Sequence, residues 1–271
     1  MEKLLGVLAP VMIMAAIFLL NAFLPGRNVK GYITRPGSTE KMSYHLNGIF
    51  VFIVVVATWF LLGITDTVPF EYLYKTRWYG LAGACLLGSV FTLVLVLPRP
   101  AVRKSLPADL FLGRVENLQL MNGRVDIKMW LYLAGAIMLE LNVLSFTAYH
   151  LITYGEAASP GIILSAALIT YFVVEYLIFE EVHLYTYDLF AERIGFKLGW
   201  GCIVFYPYFY PIALWTTVDL PDPGTPVWQL VLYAAIFFSG WMLARGANMQ
   251  KFFFKRDPFE FKSEESLVSG L

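Results

Sequence analysis

Leu46-Asn-Gly-Ile-Phe-Val-Phe-Ile-Val-Val-Val-Ala-Thr-Trp-Phe-Leu-Leu-Gly-Ile64 is a run of 19 residues without a single charge. A helix rises ~1.5 Å per residue and a bilayer's hydrocarbon core is ~30 Å thick, so about 20 apolar residues suffice to cross it. Six further stretches meet or approach the same test: Leu4–Leu24, Trp78–Leu97, Trp130–Tyr149, Gly161–Phe179, Leu198–Val218 and Val227–Ala244. None shows the alternating segments of about ten residues that a membrane β-barrel needs. The expected fold is therefore an all-α, polytopic transmembrane helix bundle of about seven spans. It forms one integral-membrane domain over residues 1–271, with 245–271 as a basic tail.

Composition agrees. The chain is 58% hydrophobic and 15% charged, whereas soluble domains carry about 25% charged residues. This excludes a disordered chain and a strongly basic nucleic-acid binder. Two cysteines, Cys85 and Cys202, both in apolar runs, provide neither a disulfide framework nor a four-ligand zinc site. The first run is too long and too poorly ended for a cleaved signal peptide.

Net charge is zero, yet the charges are sorted. In a seven-span arrangement, 17 of the 20 Lys and Arg fall on one side: the first, third and fifth loops and the C-terminal tail. Basic residues favour the cytoplasmic face, so that side is expected to be cytoplasmic and the N-terminus outside.

Chemistry-bearing motifs gather on the basic side. After the fifth run, Glu175, Glu180, Glu181, His183, Asp188 and Glu192 follow with no helix breaker before Gly195. On one continuing helix Glu181, Tyr185, Asp188 and Glu192 share a face, and Glu180, His183 and Tyr187 an adjacent one. Acids entering a membrane bundle are costly unless they line a polar cavity. There they can hold a proton near neutral pH, as a general acid must. An amphipathic helix lying in the interface with solvated acids is the competing reading. Glu180-x-x-His183 has the spacing of a carboxylate-bridged metal site, but such sites need two such pairs, so no metal is expected. Arg245-Gly-Ala-Asn248-Met-Gln-Lys251, with Lys255 beyond it, suits a phosphate-bearing ligand, or simply fixes topology. There is no Gly-x-Gly-x-x-Gly and no Walker loop, so a nucleotide would be held outside a Rossmann fold.

Taken in order, several blocks resemble the sterol reductase family, which includes the delta-14, delta-7 and C24 reductases and the reductase-like part of the lamin B receptor. These blocks are Leu24-Pro-Gly-Arg27, Tyr44-x-x-Asn47-Gly48, Asp109-x-Phe111-x-Gly113-Arg114, Asp126-x-Lys128 and Glu180/Glu181 with Thr186 and Asp188. Gly195-Phe196, Gly201, Pro207 and Tyr210 follow, and Arg245–Lys251 is the most specific match. Val115 and Leu118 depart from the family pattern. Family members continue past the counterpart of Ser269-Gly270 into a segment that supplies much of the NADPH pocket. On this resemblance 271 residues are less than a full reductase.

The resemblance implies reduction of a sterol carbon–carbon double bond, by protonation of the alkene and hydride transfer from NADPH. Tyr185, Asp188 and Glu181 are the expected proton relay, with His183 a further candidate. Arg245, Asn248, Lys251 and Lys255 are the expected cofactor ligands on the cytoplasmic side. A sterol would enter laterally from the bilayer, and the membrane would be a bacterial inner membrane or the endoplasmic reticulum. A non-catalytic sterol-binding or scaffolding protein of the same fold is the alternative. A proton-coupled transporter is a third class, weakened by the lack of inverted repeats.

Overall fold

A computed structural model describes residues 2–35 and 37–257. Helix α1 (Glu2–Phe23) is a 22-residue apolar helix with Pro10 inside it. At Pro25-Gly26 the chain turns into an antiparallel hairpin, β1 (Arg27–Thr34) and β2 (Lys41–Leu46), with Asn28 opposite His45 and Val29 opposite Tyr44. The turn needs glycine: a Cβ on Gly26 would lie 2.6 Å from the Leu46 carbonyl oxygen. Residues on β2 alternate, burying Met42, Tyr44 and Leu46, the two-residue period of a strand with one covered face.

Helix α2 (Gly48–Ile64) is the uncharged run. Its start is tied to the end of α1 through buried amides: Asn21 Nδ2 donates to Asn47 Oδ1 (2.6 Å) and Asn47 Nδ2 to the Asn21 carbonyl (3.0 Å). This pairing is why the Asn-Gly element follows the Leu-Pro-Gly-Arg turn. A short α3 (Tyr72–Lys75) leads into α4 (Arg77–Val96). Helices α1 and α4 cross where a Cβ on Gly83 would lie 2.0 Å from the Val7 carbonyl oxygen. Small residues permit such close approach in lipid, where apolar transfer does not drive helices together. Gly83→Ala is expected to destabilise the bundle by about 1–3 kcal/mol through overpacking, read as a lower melting temperature in detergent.

Next come α5 (Leu106–Leu112) and a two-residue hairpin of β3 (Gln119–Leu120) and β4 (Val125–Asp126). Asp109 on α5 is fully buried and accepts from Arg114 Nε (2.7 Å), Arg103 Nη1 (3.3 Å) and two backbone N–H groups. Burial pushes its carboxyl upward, but these donors, Arg114 foremost, outweigh it and hold it below the usual range. The Asp-x-Phe-x-Gly-Arg block is thus a structural clamp. Its Gly113 sits at φ +86°, where a Cβ would strike the Ile194 carbonyl.

Helix α6 (Ile127–Tyr154) is the central column, 28 residues long and buried over most of its length. Asp126 caps it, accepting from the N–H groups of Lys128 (3.0 Å) and Met129 (3.2 Å). Helix α7 (Pro160–Ile178) packs beside it, with Ser159 as N-cap. Within the bundle, Thr170 on α7 donates to the buried Glu140 on α6 (2.8 Å).

Two expectations are corrected here. The stretch from Glu175 to Lys197 is not one helix. Helix α7 stops at Ile178, and the chain continues through α8 (Glu180–His183) and α9 (Tyr187–Phe190). The reason is burial: Val182, Leu184, Tyr185 and Leu189 form a small second core with Met42, Tyr44, Leu46 and Met129. A straight helix would carry them away from β2. The proposed common face of Glu181, Tyr185, Asp188 and Glu192 therefore does not exist.

The second correction concerns 198–218, which is not a regular α-helix: α10 (Phe196–Trp200) passes through a π-turn at Gly201–Phe205 into α11 (Tyr206–Phe209), and the chain is interrupted at Tyr210-Pro211 before α12 (Ile212–Thr217). Pro207 and Pro211 have no N–H to continue a helix. The broken backbone is tolerated because protein covers it. A Cβ on Gly135 would lie 2.6 Å from the Cys202 carbonyl oxygen, and Asn142 Nδ2 donates to the freed Pro207 carbonyl (3.0 Å).

Helix α13 (Val227–Arg256) closes the described chain, 30 residues long and mostly exposed. It absorbs Arg245–Arg256 of the expected tail, while residues 258–271 lie outside the described residues. Among the described residues, five helices are long and apolar enough to cross a membrane (α1, α4, α6, α7 and α13), and α2 is a shorter apolar helix of 17 residues. The molecule is an all-α multi-pass bundle with small hairpins at one end.

Candidate functional site

Where α6 enters the bundle and α7 leaves it, a cavity of about 430 Å³ opens between α6, α7, the 182–188 segment, the 197–210 segment and α13. Its wall carries Tyr132, Glu175, Tyr176, His183, Asp188, Lys197, Tyr206, Arg245 and Asn248. The rest is aromatic or apolar, including Phe172, Phe205 and Trp241.

Tyr132 Oη donates to Asp188 Oδ2 at 3.2 Å. The His183 ring lies 3.8 Å from the Tyr176 ring, centroid to centroid, and its Nε2 meets the Tyr176 carbonyl at 3.2 Å. A carbonyl only accepts, so Nε2 carries the proton. Burial pushes His183 down to about 4, which leaves its imidazole neutral at pH 7. Arg245 forms an ion pair with Glu175 and lies over the Phe179 ring at 4.7 Å. Lys197 pairs with Glu192. Both cations of the wall therefore have an acid partner. Tyr206 Oη and Trp241 Nε1 are buried without a hydrogen-bond partner among the described residues, and unmet donors of this kind suit a ligand with a polar group.

Asp188 is held by a side chain from far along the chain. Lys128, only 1% exposed, donates from Nζ to the carbonyls of Leu189 (2.7 Å), Asp188 (3.4 Å) and Glu192. These carbonyls end the short α9, where a cation complements the exposed C=O groups. The Asp126-x-Lys128 motif thus caps α6 with one residue and anchors the Asp188 segment with the other.

The eight expected site residues separate into two groups. Asp188, His183, Arg245 and Asn248 line the cavity together. Glu181 instead pairs with Arg27 of β1 at 2.8 Å. Tyr185 packs in the second core, its ring 4.9 Å from Phe252 and its hydroxyl 3.5 Å from the Lys30 carbonyl. Lys255 donates to the Tyr185 carbonyl (2.9 Å) and lies over the Phe190 ring at 4.0 Å. Lys251 is not in the wall of this cavity and has no ion pair among the described residues. Tyr132 and Tyr176 are wall residues not singled out from sequence, whereas Glu175, the first of the acids noted after the fifth run, does line the wall. Tyr132 had a detectable signal: it lies four residues after Lys128, on the same helix face.

Glu180 stands just outside the cavity, accepting from the Gly48 N–H (3.0 Å). Burial pushes its carboxyl up to about 7 against an ordinary 4.5, over the opposing pull of that N–H and of Arg27. The folded state then holds a proton that the unfolded chain releases first. Stability is full below pH 4.5 and falls as pH rises from 4.5 to about 7. The loss is about 3 kcal/mol. Glu180→Gln is expected to flatten the melting temperature over that window, measured in detergent against pH.

The chain matches the ergosterol biosynthesis ERG4/ERG24 family over residues 2–268. It belongs to that family. Among curated relatives, it is 30% identical to the Delta(14)-sterol reductase of Methylotuvimicrobium alcaliphilum over 253 residues, covering 88% of this chain and 56% of the relative. It is 28% identical to the Delta(14)-sterol reductase of Arabidopsis thaliana, covering 94% of this chain and 72% of that one. With Delta(14)-sterol reductase ERG24 of Saccharomyces cerevisiae it shares 28%, covering 89% and 59%. The chain thus spans little more than half the length of two of these three relatives. In this ERG4/ERG24 member the Asp188 segment and the Arg245–Asn248 segment meet across one cavity.

Proposed function

We propose that this chain takes part in reducing a carbon–carbon double bond of a sterol, at the cavity between α6, α7 and α13. The observation that carries this reading is the pairing of Tyr132 with Asp188 in a wall that also presents Arg245 and Asn248. An acid for the alkene and donors for a phosphate-bearing cofactor then face one space. The names of the relatives supply the substrate class, and a Δ14-unsaturated sterol is the first to test.

The residues present fit a phosphate-bearing cofactor in donor type, through Arg245 and Asn248. Engaging it means loosening the Arg245–Glu175 pair. NADPH, when bound, supplies a hydride. Everything else falls to the chain. The Tyr132 hydroxyl delivers a proton to one alkene carbon, and Asp188, its hydrogen-bond partner, orients that hydroxyl and returns the proton from solvent. The other carbon receives the hydride, so the product gains one proton and one hydride. His183, neutral at pH 7, orients the Tyr176 ring beside this pair and is not the acid. The aromatic wall excludes water, and the flat rings of Tyr176 and Tyr206 suit a rigid polycycle. The orphan Tyr206 hydroxyl can meet a polar group of that ligand. The sorting of lysine and arginine along the chain supports a cytoplasmic position for the Arg245 end.

A second reading has its own support. Both cavity cations are neutralised by acids, which suits a sterol-binding member that does no chemistry. Membranes containing the chain, given a Δ14-unsaturated sterol and NADPH, separate the two. Reduced sterol supports the reductase, whereas saturable sterol binding without NADPH consumption supports the binder.

A further inference from the structure

A second hollow lies against the hairpin and shares no lining residue with the Asp188 cavity. It has a volume of about 800 Å³ and is bounded by the Pro25-Gly26 turn, the β1–β2 hairpin and the 119–124 turn. The ends of α1 and the starts of α2 and α6, at Phe23, Gly48 and Ile127, converge beside it. It is therefore level with the ends of three apolar helices, where lipid headgroups lie.

Its wall is built for negative charge. Arg35 and Arg124 line it with Asn28, His45, Gln119 and Asn122, and no carboxylate is among the described lining residues. Arg35 has only a loose partner, Glu40 at 4.0 Å. Arg124 has no ion pair among the described residues and makes one long hydrogen bond, to the Leu24 carbonyl at 3.3 Å. The other polar side chains are held in place. His45 is braced by Asn28 and the Leu24 carbonyl, both at 3.2 Å, and Gln119 donates to the Ser43 carbonyl at 2.9 Å. The turn that sets Asn122 and Arg124 on the wall runs through three left-handed residues, Met121, Asn122 and Gly123, at φ +52°, +57° and +86°. Glycine and asparagine accept that region readily. Methionine does not, and backbone held there against its preference marks functional segments.

We infer that this hollow binds an anionic phosphate group at the membrane surface, with Arg35 and Arg124 as the cations that hold it. Guanidinium groups match phosphate oxygens by paired hydrogen bonds, and two of them, one with no ion pair among the described residues and one with only the 4.0 Å contact to Glu40, make a site rather than a salt-bridged surface. An anionic phospholipid headgroup and a free phosphate share this chemistry. The inference stands apart from the reductase reading, since none of its residues touches the Asp188 cavity.

The test uses the full chain in nanodiscs of phosphatidylcholine containing a minor fraction of phosphatidylglycerol. Native mass spectrometry should find phosphatidylglycerol enriched on the chain. The double variant Arg35→Gln/Arg124→Gln should lower that enrichment about tenfold. Arg35→Lys/Arg124→Lys should keep most of it. Arg99→Gln/Lys104→Gln, which removes equal charge from the third loop, should leave it unchanged. In a parallel arm, inorganic phosphate is added to chain in pure phosphatidylcholine discs. Thermal protection there that depends on Arg35 and Arg124 identifies free phosphate as a ligand, and its absence with lipid enrichment identifies the headgroup. Equal lipid retention by the double glutamine variant and the wild type, or equal loss in the third-loop control, overturns the inference. So does the lack of any Arg-dependent response to either phosphate source.

Discussion

Asp188→Asn is expected to lower sterol reduction about 10²–10³-fold, the usual contribution of a positioned proton-transfer group. Asn keeps the shape and can still meet the Tyr132 hydroxyl, but it cannot take up and return a proton. Sterol affinity should change by no more than about threefold, so the loss falls on turnover and not on binding. Tyr132→Phe should produce a similar loss, because it deletes the hydroxyl that lies 3.2 Å from Asp188. Glu181→Gln and Tyr185→Phe are the informative contrasts. Glu181 is committed to Arg27 and Tyr185 to the second core, so each should stay within about threefold of the parent rate. Rates measured on all four variants in membranes decide which residues form the proton path.

Lys128→Met is expected to have the largest effect on stability. The methionine fills the same space but leaves the Leu189 and Glu192 carbonyls, and the long contact to Asp188, without their donor. Leaving a buried acceptor unmet costs about 1–3 kcal/mol, and here the acceptors lose one charged partner together. A loss of about 3 kcal/mol or more follows, seen as a melting temperature lowered by several degrees. The same change loosens the segment that carries Asp188, so protease cleavage between 184 and 193 should speed up before the bundle melts. Lys128→Arg should recover only part of the loss, because a planar fork replaces a compact ammonium with freely rotating donors.

The spanning helices were legible because nothing competes with an uncharged run of apolar residues for a place in lipid. Leu46–Ile64 appears as α2 with nearly the boundaries its sequence suggests. The two misread stretches differ in cause: the prolines that interrupt 198–218 are local, whereas the break after Phe179 is imposed from far along the chain. Nothing between Phe179 and Ala191 breaks a helix by itself; the break is imposed by Lys128, more than fifty residues earlier, and by the apolar face of β2. The 198–218 run is long and apolar enough, yet Gly135 and Asn142 on α6 make its interruption tolerable. Hairpin β1–β2 was hidden for a different reason. Its period-two burial is short and lies among turn residues and charges that read equally well as a loop.

The site was half legible. Asp188, His183, Arg245 and Asn248 belong to blocks whose residue types already implied chemistry, and the fold brings them to one cavity. Tyr132 and Tyr176 lie inside apolar helices, where an aromatic residue reads as packing until a partner is placed beside it. Asp109 and Arg114 show the reverse. Their motif invites a functional role, and the structure makes them a buried clamp that holds the loop after α4.

The most direct test of the central claim is the mass of the sterol formed in heavy water. Membranes containing the chain are incubated in D2O with a Δ14-unsaturated sterol and unlabelled NADPH. The product is predicted to carry one deuterium, delivered through Tyr132 and Asp188, and one unlabelled hydride, with one NADPH consumed per sterol and no product from Asp188→Asn above about 1% of the parent yield. No reduced sterol from the folded chain, or a product without solvent deuterium, would contradict it.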